Sequence, residues 1–300
     1  MATEKVSHAG FVAIIGRPNV GKSTLVNALV GKKVSIVTPK PQTTRHRILG
    51  VLTSGAAQII FVDTPGLHRH AGKAMNRLMN RVAVNALQDA DLILFMCEAN
   101  RWTGDDQNAL DRASAAPAPM IALLNKIDKV HPKEELLAAI AAMSARSDFA
   151  EVIPVSATLD DNLDRLMAVI PTFLPESAPL FPEEVFTDRS ESFRIAELVR
   201  EQLTLSLRQE VPYGLTVQVE RLDKADDGVE IHAVIWVERE SQKGIVVGKG
   251  GHVLKKVGRA ARLELNRQFE RPVHIELWVK VRENWADNEE QLQRLGFDGL

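Results

Sequence analysis

Residues 16–23 read "GRPNVGKS" and directly follow an apolar stretch, "FVAII", at residues 11–15. At this spacing the glycines let backbone N–H groups converge on phosphate oxygens, Lys22 supplies a cation, and the Ser23 hydroxyl can bind Mg²⁺. Such a loop needs a strand before it and a helix after it. The apolar stretch predicts the strand, and residues 21–30 have helical spacing. We therefore predict a phosphate-binding loop.

The first half of the chain alternates short apolar runs with longer stretches of helical spacing. Besides residues 11–15, the apolar runs lie at 58–64, 92–98, 120–126 and 151–156. Helical spacing recurs at 73–88 and 133–145. Strands that are apolar on both faces and alternate with helices are typical of a parallel sheet covered on both sides. We predict an α/β fold in which a doubly wound P-loop domain occupies residues 1–175.

Composition and charge are those of an ordinary globular protein. The chain has 300 residues, which suits about two domains, and its formal net charge of −2 gives no global sign of nucleic-acid binding. The single cysteine, Cys97, cannot form an internal disulfide, which favours a reducing compartment. The N-terminus lacks a signal-peptide pattern, and no apolar run reaches the ~18 residues that a membrane span needs. We expect a cytoplasmic protein.

The pattern changes in the second half of the chain. Residues 174–184 contain three prolines and no periodicity, and we predict a linker over 176–190. Beyond it, helical and alternating segments follow one another in the order α-β-β-α-α-β, with the turn cluster "DKADDG" (223–228) between the first two strands. We assign residues 191–284 to a smaller α+β domain and 285–300 to a C-terminal tail.

A second glycine cluster, at residues 248–251, has no Ser or Thr for Mg²⁺ and lies between two helical stretches, 242–247 and 252–269. A Gly-x-x-Gly turn between helices in this order of elements resembles the type II KH domain, whose loop clamps about four nucleotides of RNA. Residues 241–271 carry eight basic and two acidic side chains, for a local net charge of +6 that suits a phosphate backbone. The resemblance implies RNA contacts from Gly248, Lys249, Gly250, Gly251, Lys255, Lys256 and Arg259.

Three further motifs follow the first loop in a fixed order. "DTPG" (63–66) ends one strand, where Asp63 would hold Mg²⁺ through a water and the Gly66 N–H would sense a γ-phosphate. "NKID" (125–128) ends another strand, and its Asp128 carboxylate can accept from guanine N1–H and the 2-amino group together. Adenine offers neither donor, so the discrimination could reach ~10⁴. "SA" (156–157) follows the last strand, where a backbone N–H could reach guanine O6.

Together these motifs resemble the G1, G3, G4 and G5 motifs of GTPases, which hydrolyse GTP to GDP and phosphate. The resemblance implies these nucleotide-binding residues: Gly16, Arg17, Pro18, Asn19, Val20, Gly21, Lys22, Ser23, Thr24, Asp63, Gly66, Asn125, Lys126, Asp128, Ser156 and Ala157. In the stretch "PKPQTTRHRI" (39–48), Thr44 would be the switch threonine that reaches Mg²⁺ and the γ-phosphate, with Thr43 as the alternative. The implied Mg²⁺ ligands are Ser23, Thr44 and Asp63, and the implied catalytic residues are Asn19, Lys22, Thr44 and Gly66.

The residue after the "DTPG" motif indicates slow turnover. Ras-like GTPases place a water-orienting Gln there, whereas this chain has Leu67. In potassium-dependent relatives, an Asn at the position of Asn19 helps to bind K⁺ in place of an arginine finger. We expect slow intrinsic hydrolysis that K⁺ accelerates; the alternative is that Asn19 only forms the turn.

The combination of both domains resembles the Era family of bacterial GTPases over nearly the whole chain, including "FTDRSESFR" (186–194) and "HIELWVKVRENWADNE" (274–289). The resemblance implies binding near the 3′ end of 16S rRNA, a role in assembly of the small (30S) ribosomal subunit, and peripheral association with the inner membrane; we expect a monomer. Two alternatives remain open. The second domain would bind protein rather than RNA, or the chain would be a membrane-associated signalling GTPase that uses the basic helix at 252–269.

Overall fold

The computed structural model describes residues 8–66, 74–207 and 211–297. They form two compact units, one made mainly of residues up to Asp188 and the other mainly of residues from Arg189 onward. Within the described ranges, no helix combines the length and the apolar character needed to cross a membrane.

The first unit is built on a six-stranded sheet with helices between its strands. Its strands are β1 (His8–Ile15), β2 (Ile48–Ser54), β3 (Ala57–Asp63), β4 (Leu92–Glu98), β5 (Met120–Asn125) and β6 (Glu151–Pro154). Its helices are α1 (Lys22–Val30), α2 (Ala74–Gln88), α3 (Gly104–Ser114), α4 (Glu135–Ser144) and α5 (Leu163–Val169). The sheet order is β2-β3-β1-β4-β5-β6, and all strands except β2 run parallel. The predicted doubly wound α/β fold is confirmed.

Two elements of the first unit differ from the sequence-based expectation. The sheet is mixed rather than wholly parallel, because β2 pairs antiparallel with β3 from Ile48 opposite Asp63 to Ser54 opposite Ala57. Only two residues connect these strands, which allows a hairpin but no parallel crossover. Helix α3 was not predicted because its sequence, "GDDQNALDRAS", is mostly polar and buries only a short face.

Residues 175–188, here called the edge segment, lie against the first unit. Most of the predicted linker (176–190) falls within it. Backbone and side-chain contacts join it to β2. Leu49 N–H donates to Asp188 Oδ1 (2.9 Å), and Val51 N–H donates to Phe186 O (2.9 Å). Between them, Gly50 and Thr187 form an antiparallel β-bridge. The physical reason is that an exposed edge strand leaves backbone groups unpaired, and this segment supplies partners for β2.

A buried glutamine fastens the middle of the edge segment. Gln58 is fully buried in β3, and its amide oxygen accepts from the N–H groups of Leu180 (2.7 Å) and Phe181 (2.9 Å). Its amide nitrogen donates to Phe181 O (2.8 Å) and to Thr53 Oγ1 (3.0 Å). One side chain therefore satisfies three backbone groups of a segment that has no regular secondary structure.

The second unit has the predicted α-β-β-α-α-β order. It comprises α6 (Glu191–Ser206), β7 (Leu215–Ala225), β8 (Gly228–Val237), α7 (Glu240–Val247), α8 (His252–Phe269), β9 (Val273–Val281) and α9 (Glu289–Arg294). Strand β8 pairs antiparallel with β7 and parallel with β9. The α6, α7 and α8 helices share one apolar core with the sheet, which includes Val199, Ile235, Val246 and Leu265. The turn cluster predicted at 223–228 is shorter than expected, since β7 continues to Ala225.

Replacing Gln58 by Leu should destabilise the first unit by about 3 kcal/mol, because the N–H groups of Leu180 and Phe181 would lose their acceptor in a buried place. Urea unfolding of the full chain measures this change. The transition of the first unit is identified as the one that shifts to a higher urea concentration when GDP is added. The control is Gln107→Leu at an exposed position of α3, which should change stability by less than about 0.5 kcal/mol. Equal stability of the two variants would contradict the role assigned to Gln58.

Candidate functional site

The carboxyl ends of the parallel strands bring the predicted loop and motifs of the first unit together. The register places Ile14 of β1 beside Asp63 of β3, and Glu98 of β4 beside Asn125 of β5. A cavity of about 320 Å³ opens at this edge, as expected for the ligand site of a doubly wound sheet. The predicted nucleotide-binding residues that line it are Pro18, Asn19, Gly21, Lys22, Ser23, Thr24, Gly66, Asn125 and Lys126, whereas Gly16, Arg17, Val20, Asp63, Asp128, Ser156 and Ala157 do not line it.

The loop at 16–23 wraps around the Lys22 ammonium. Lys22 Nζ donates to the carbonyl oxygens of Gly16 and Arg17, each at 3.0 Å. Burial lowers the pKa of Lys22 to about 8, with Asp63 opposing and Arg17 reinforcing the shift. Helix α1 begins at Lys22, so its N-terminal N–H groups and dipole also face the site. The loop therefore provides the concave, electropositive surface that a phosphate group requires.

Three oxygen-bearing side chains meet beside Lys22. Ser23 Oγ lies 2.8 Å from Thr44 Oγ1, and Thr44 Oγ1 lies 3.5 Å from Asp63 Oδ2. Neighbouring ligands of octahedral Mg²⁺ stand about 2.9 Å apart, so the two hydroxyls are spaced as such a pair. Asp63 is fully buried, and its Oδ1 has no hydrogen-bond partner among the described residues. The donor set and the unpartnered carboxylate oxygen fit Mg²⁺.

The electrostatics of Asp63 also favour a cation at this cluster. Burial raises the pKa of Asp63, and the hydroxyls of Ser23, Ser35 and Thr44 and the charge of Lys22 only partly offset this effect. A buried carboxylate in this position needs a further positive charge to stay ionised. A divalent cation at the three-oxygen cluster would supply it.

Of the two candidate threonines, only Thr44 lies at the oxygen cluster. Thr43 Oγ1 instead donates to Lys40 O (2.7 Å) and lies 2.6 Å from Thr38 Oγ1. Asn27 of α1, which the sequence did not single out, accepts from the N–H groups of Val34 (2.8 Å) and Ser35 (2.9 Å). These contacts fix the start of the segment that carries Thr44.

Asn125 ties the two halves of the site together. Its side chain donates to Val20 O (2.7 Å) and accepts from Ala157 N–H (3.0 Å). Gly21, with φ of 113°, must be glycine here, because a Cβ atom would lie 2.3 Å from the Asn125 amide nitrogen. Since Ala157 N–H is already bound to Asn125, it is not free for guanine O6 in this structure.

Asp128 is held by a contact that the sequence did not reveal. Lys126 has φ of 64°, which turns the chain so that Asp128 lies in the following helical turn, and Ser156 Oγ donates to Asp128 Oδ1 at 2.6 Å. The Ser156 N–H is bound to Asp161 O (3.1 Å). Ser156 therefore orients the predicted base-reading carboxylate through its side chain, whereas the expectation concerned the backbone N–H groups of 156–157.

Gly66 packs directly on the first loop. A Cβ atom at this position would lie 2.9 Å from Pro18 Cα and N, so the "DTPG" motif lies too close to the first loop for any residue other than glycine to fit without a shift. Thr64 Oγ1 donates to Ile14 O (2.8 Å) and fixes the base of the motif. Leu67, on which the expectation of slow turnover depends, lies outside the described residues.

The glycine loop of the second unit has the backbone that its sequence requires. Gly248, Gly250 and Gly251 have φ values of 71°, 61° and 76°. No atom lies within 4 Å of a Cβ built on Gly250, so this face of the loop is open. Lys249 is exposed between the glycines. The loop thus presents an open backbone surface at Gly250 and one cation, Lys249, to the solvent.

A groove of about 560 Å³ adjoins the glycine loop along α8 and β9. It is lined by Gly251, Leu254, Lys255, Gly258, Arg259, Arg262, His274, Ile275 and Leu277. Lys255, Arg259 and Arg262 follow helical spacing on one side of α8 and form no ion pair with a described residue. Lys256, predicted as an RNA contact, does not line the groove, whereas Arg262 does. The spacing of seven residues from Lys255 to Arg262 is the signal that would have found it.

Asp63→Asn should abolish most of the dependence of GTP binding on Mg²⁺, weakening binding in Mg²⁺ about 10- to 100-fold. Because the ionised carboxylate is buried at a cost, the variant without nucleotide should unfold at the same temperature as the wild type or higher. Titration with a fluorescent GTP analogue, with and without EDTA, and a thermal melt measure both effects. Asp148→Asn, at an exposed position, is the control. Unchanged Mg²⁺ dependence in Asp63→Asn would contradict the assignment.

Comparisons with known proteins give matches for both units. Residues 11–126 match the protein family described as "50S ribosome-binding GTPase", and residues 210–286 match the KH domain family. GTPase Era of Vibrio parahaemolyticus is 47% identical over 97% of this chain and 91% of its own length. GTPase Era of Vibrio vulnificus is 46% identical over 99% of this chain and 95% of its own length.

Two solved structures are similar over nearly the full length. A crystal structure of Era in complex with MgGDPNP and nucleotides 1506–1542 of 16S ribosomal RNA has a TM-score of 0.93 and 40% identity, with 97% of this chain and 99% of that chain covered. A single-site variant of Aquifex aeolicus Era bound to GDP·AlF4⁻ has a TM-score of 0.92 at the same identity and coverage. With both domain matches and near-full-length relatives at this identity, the chain belongs to the Era family of GTPases.

Proposed function

We propose that this GTPase is a nucleotide-driven switch that binds 16S rRNA near its 3′ end through its KH unit and assists assembly of the small (30S) ribosomal subunit. In this proposal the first unit binds GTP with Mg²⁺ held by Ser23, Thr44 and, through a water, Asp63. The solved relative that carries MgGDPNP and a 16S rRNA fragment supports the pairing of these two ligands.

The observation that carries the RNA assignment is the groove beside the glycine loop. Lys255, Arg259 and Arg262, which form no ion pair within the described part of the chain, run along one wall. Leu254, Ile275 and Leu277 supply apolar surface. An RNA strand requires this combination, since its phosphates need cations and its bases need an apolar or stacking surface. Ile245 is 49% exposed near the loop and adds to the apolar surface that bases could reach.

The switch follows from the Mg²⁺ cluster. Thr44 reaches the oxygen cluster from the segment at 36–45, so GTP with Mg²⁺ would hold this segment and hydrolysis would release it. The same is expected of the segment at 64–73, of which residues 67–73 lie outside the described residues. Coupling requires that GTP changes RNA affinity and that RNA changes GTP affinity by the same factor. Peripheral membrane association, a monomeric state, the cytoplasmic location and slow intrinsic turnover stay predictions.

Lys249→Asp combined with Gly250→Asp should weaken binding of a 16S 3′-end fragment at least tenfold at physiological salt and should lower the slope of log affinity against log salt by about one to two. The reason is that the variant removes a cation and adds two carboxylates at an exposed loop. Fluorescence anisotropy over a salt series measures both quantities. Asp is tolerated at the positive φ of Gly250 better than most residues.

The matched control is Lys133→Asp with Ala138→Asp, which makes the same change in charge at exposed positions of the first unit and should leave RNA affinity unchanged. Crosslinking in cells should recover the 3′ end of 16S rRNA from the wild type. Recovery of large-subunit RNA, or of protein alone, would contradict the proposal. Equal RNA affinity with a GTP analogue and with GDP would remove the coupling between the two units.

We further propose that Asn19 helps to bind a monovalent cation that serves hydrolysis. It lies in the first loop with φ of 64°, and its side-chain amide donates to Pro39 O (3.0 Å), so the loop meets the carbonyl groups of the segment that carries Thr44. Carbonyl and amide oxygens are suitable ligands for K⁺. A bound K⁺ would place positive charge near the transferred phosphoryl group, where other GTPases use an arginine.

GTP hydrolysis should therefore be at least about tenfold faster in K⁺ than in Na⁺ at equal ionic strength. Phosphate release at saturating GTP and Mg²⁺ measures the rate. Asn19→Ala should lose the preference for K⁺ while still binding GDP, and Gln107→Ala, distant in sequence and exposed, should keep it. Equal wild-type rates in the two salts would show that Asn19 only forms the turn.

A further inference from the structure

One side chain of the phosphate loop points away from the nucleotide cavity. Arg17 does not line the cavity, and its guanidinium instead pairs with two carboxylates. Arg17 Nη2 lies 2.8 Å from Glu98 Oε2, and Arg17 Nε lies 3.1 Å from Asp106 Oδ1. The Arg17 and Glu98 side chains are only 11% and 14% exposed, so solvent and salt screen this pairing weakly.

Asp106 gives this pairing a rigid support. It is fully buried at the start of α3 and accepts from Thr103 N–H (2.8 Å) and from Thr103 Oγ1 (2.6 Å). The bond from Thr103 N–H and the reciprocal bond from Asp106 N–H to Thr103 Oγ1 (3.4 Å) form a capping box that fixes the helix start and the carboxylate together. Arg17 is therefore held at one side by an element that does not depend on the nucleotide.

Glu98 makes a connection that Asp106 does not. Its carboxylate also pairs with Lys126 Nζ, and the same ammonium donates to Asn19 O at 2.8 Å. Burial alone would raise the pKa of Glu98, but the hydrogen bond and charge of Lys126 and the charge of Arg17 outweigh it, so the pKa is lowered. Glu98 therefore stays ionised and joins the loop at Arg17 to the "NKID" lysine, which returns to the loop at Asn19.

We propose that Glu98, which does not line the nucleotide site, is a positioning residue of that site. Glu98 holds the phosphate loop through Arg17 and also holds Lys126, the lysine of the "NKID" motif. It thereby slows release of the bound guanine nucleotide. The inference rests on the proposed nucleotide site. Its physical basis is preorganisation, because loop N–H groups that are held in place before binding need no reorganisation when the phosphates arrive. Among variants of one binding site, differences in affinity appear mainly in the dissociation rate.

Glu98→Gln in the full chain should release a fluorescent GDP analogue about tenfold faster in Mg²⁺ buffer, with association within about twofold of wild type. At saturating GTP the hydrolysis rate should stay within about threefold, so KM changes more than kcat. Glu98→Asp keeps the charge and should recover part of the slow release. The control is Glu151→Gln, which breaks the exposed pair with Arg165 in the same unit and should leave release unchanged.

A double-mutant cycle separates positioning from mere folding. The increase in GDP release for Arg17→Met combined with Glu98→Gln should be smaller than the product of the two single increases, because both variants remove the connection between Arg17 and Glu98. Unchanged release in a folded Glu98→Gln protein, or a lowered melting temperature with unchanged release, overturns the inference. If the variant does not fold, Arg17→Lys is measured instead; it cannot bridge both carboxylates and should release GDP faster, and unchanged release again overturns the inference. Failure of the wild type to bind GDP would instead overturn the nucleotide site itself.

Discussion

The buried carboxylate of Asp63 is the constraint around which the first unit is arranged. A carboxylate without water needs compensating charge and donors, and the sheet provides them because parallel strands end at one edge. Lys22 and Ser23 come from the start of α1, directly after the loop that follows β1, and Thr44 comes from the segment before β2. Each of these elements has its own fastening, such as Asn27 for the segment that leads to Thr44 and Asn125 for the loop. The oxygen cluster is thus the meeting point of separately anchored pieces of chain.

The two glycine clusters use the same residue for different chemical purposes. In the first unit, glycine lets other chain segments approach closely, as at Gly21 beside Asn125 and Gly66 beside Pro18. In the second unit, no described atom lies within 4 Å of a Cβ built on Gly250, so the glycine keeps the surface open there. The first cluster therefore encloses a small ligand together with a metal, whereas the second suits a polymer that extends beyond the protein surface.

Much of this organisation could be predicted from the sequence, because strands that are apolar on both faces and motifs at strand ends have short-range signals. The choice between Thr43 and Thr44 had no such signal, since it depends on which hydroxyl turns toward Ser23 and Asp63. The contact between Ser156 and Asp128 and the pairing of Arg17 with Glu98 are likewise tertiary contacts. They join residues that are 28 and 81 positions apart, and no local sequence pattern predicts contacts at such separations. Strand β2 was missed because its partner is the neighbouring β3 in a hairpin, which breaks the alternation of strands and helices.

The anchoring of the edge segment changes the length of the tether between the two units. The sequence predicted a linker of fifteen residues, from 176 to 190. Asp188, however, is bound to Leu49 N–H, and Ser190 already caps α6 by accepting from Phe193 N–H (3.2 Å). Only Arg189 lies between these two fastenings. While both contacts hold, the connection between the edge segment and α6 is one residue long, so it does not behave as a long flexible linker.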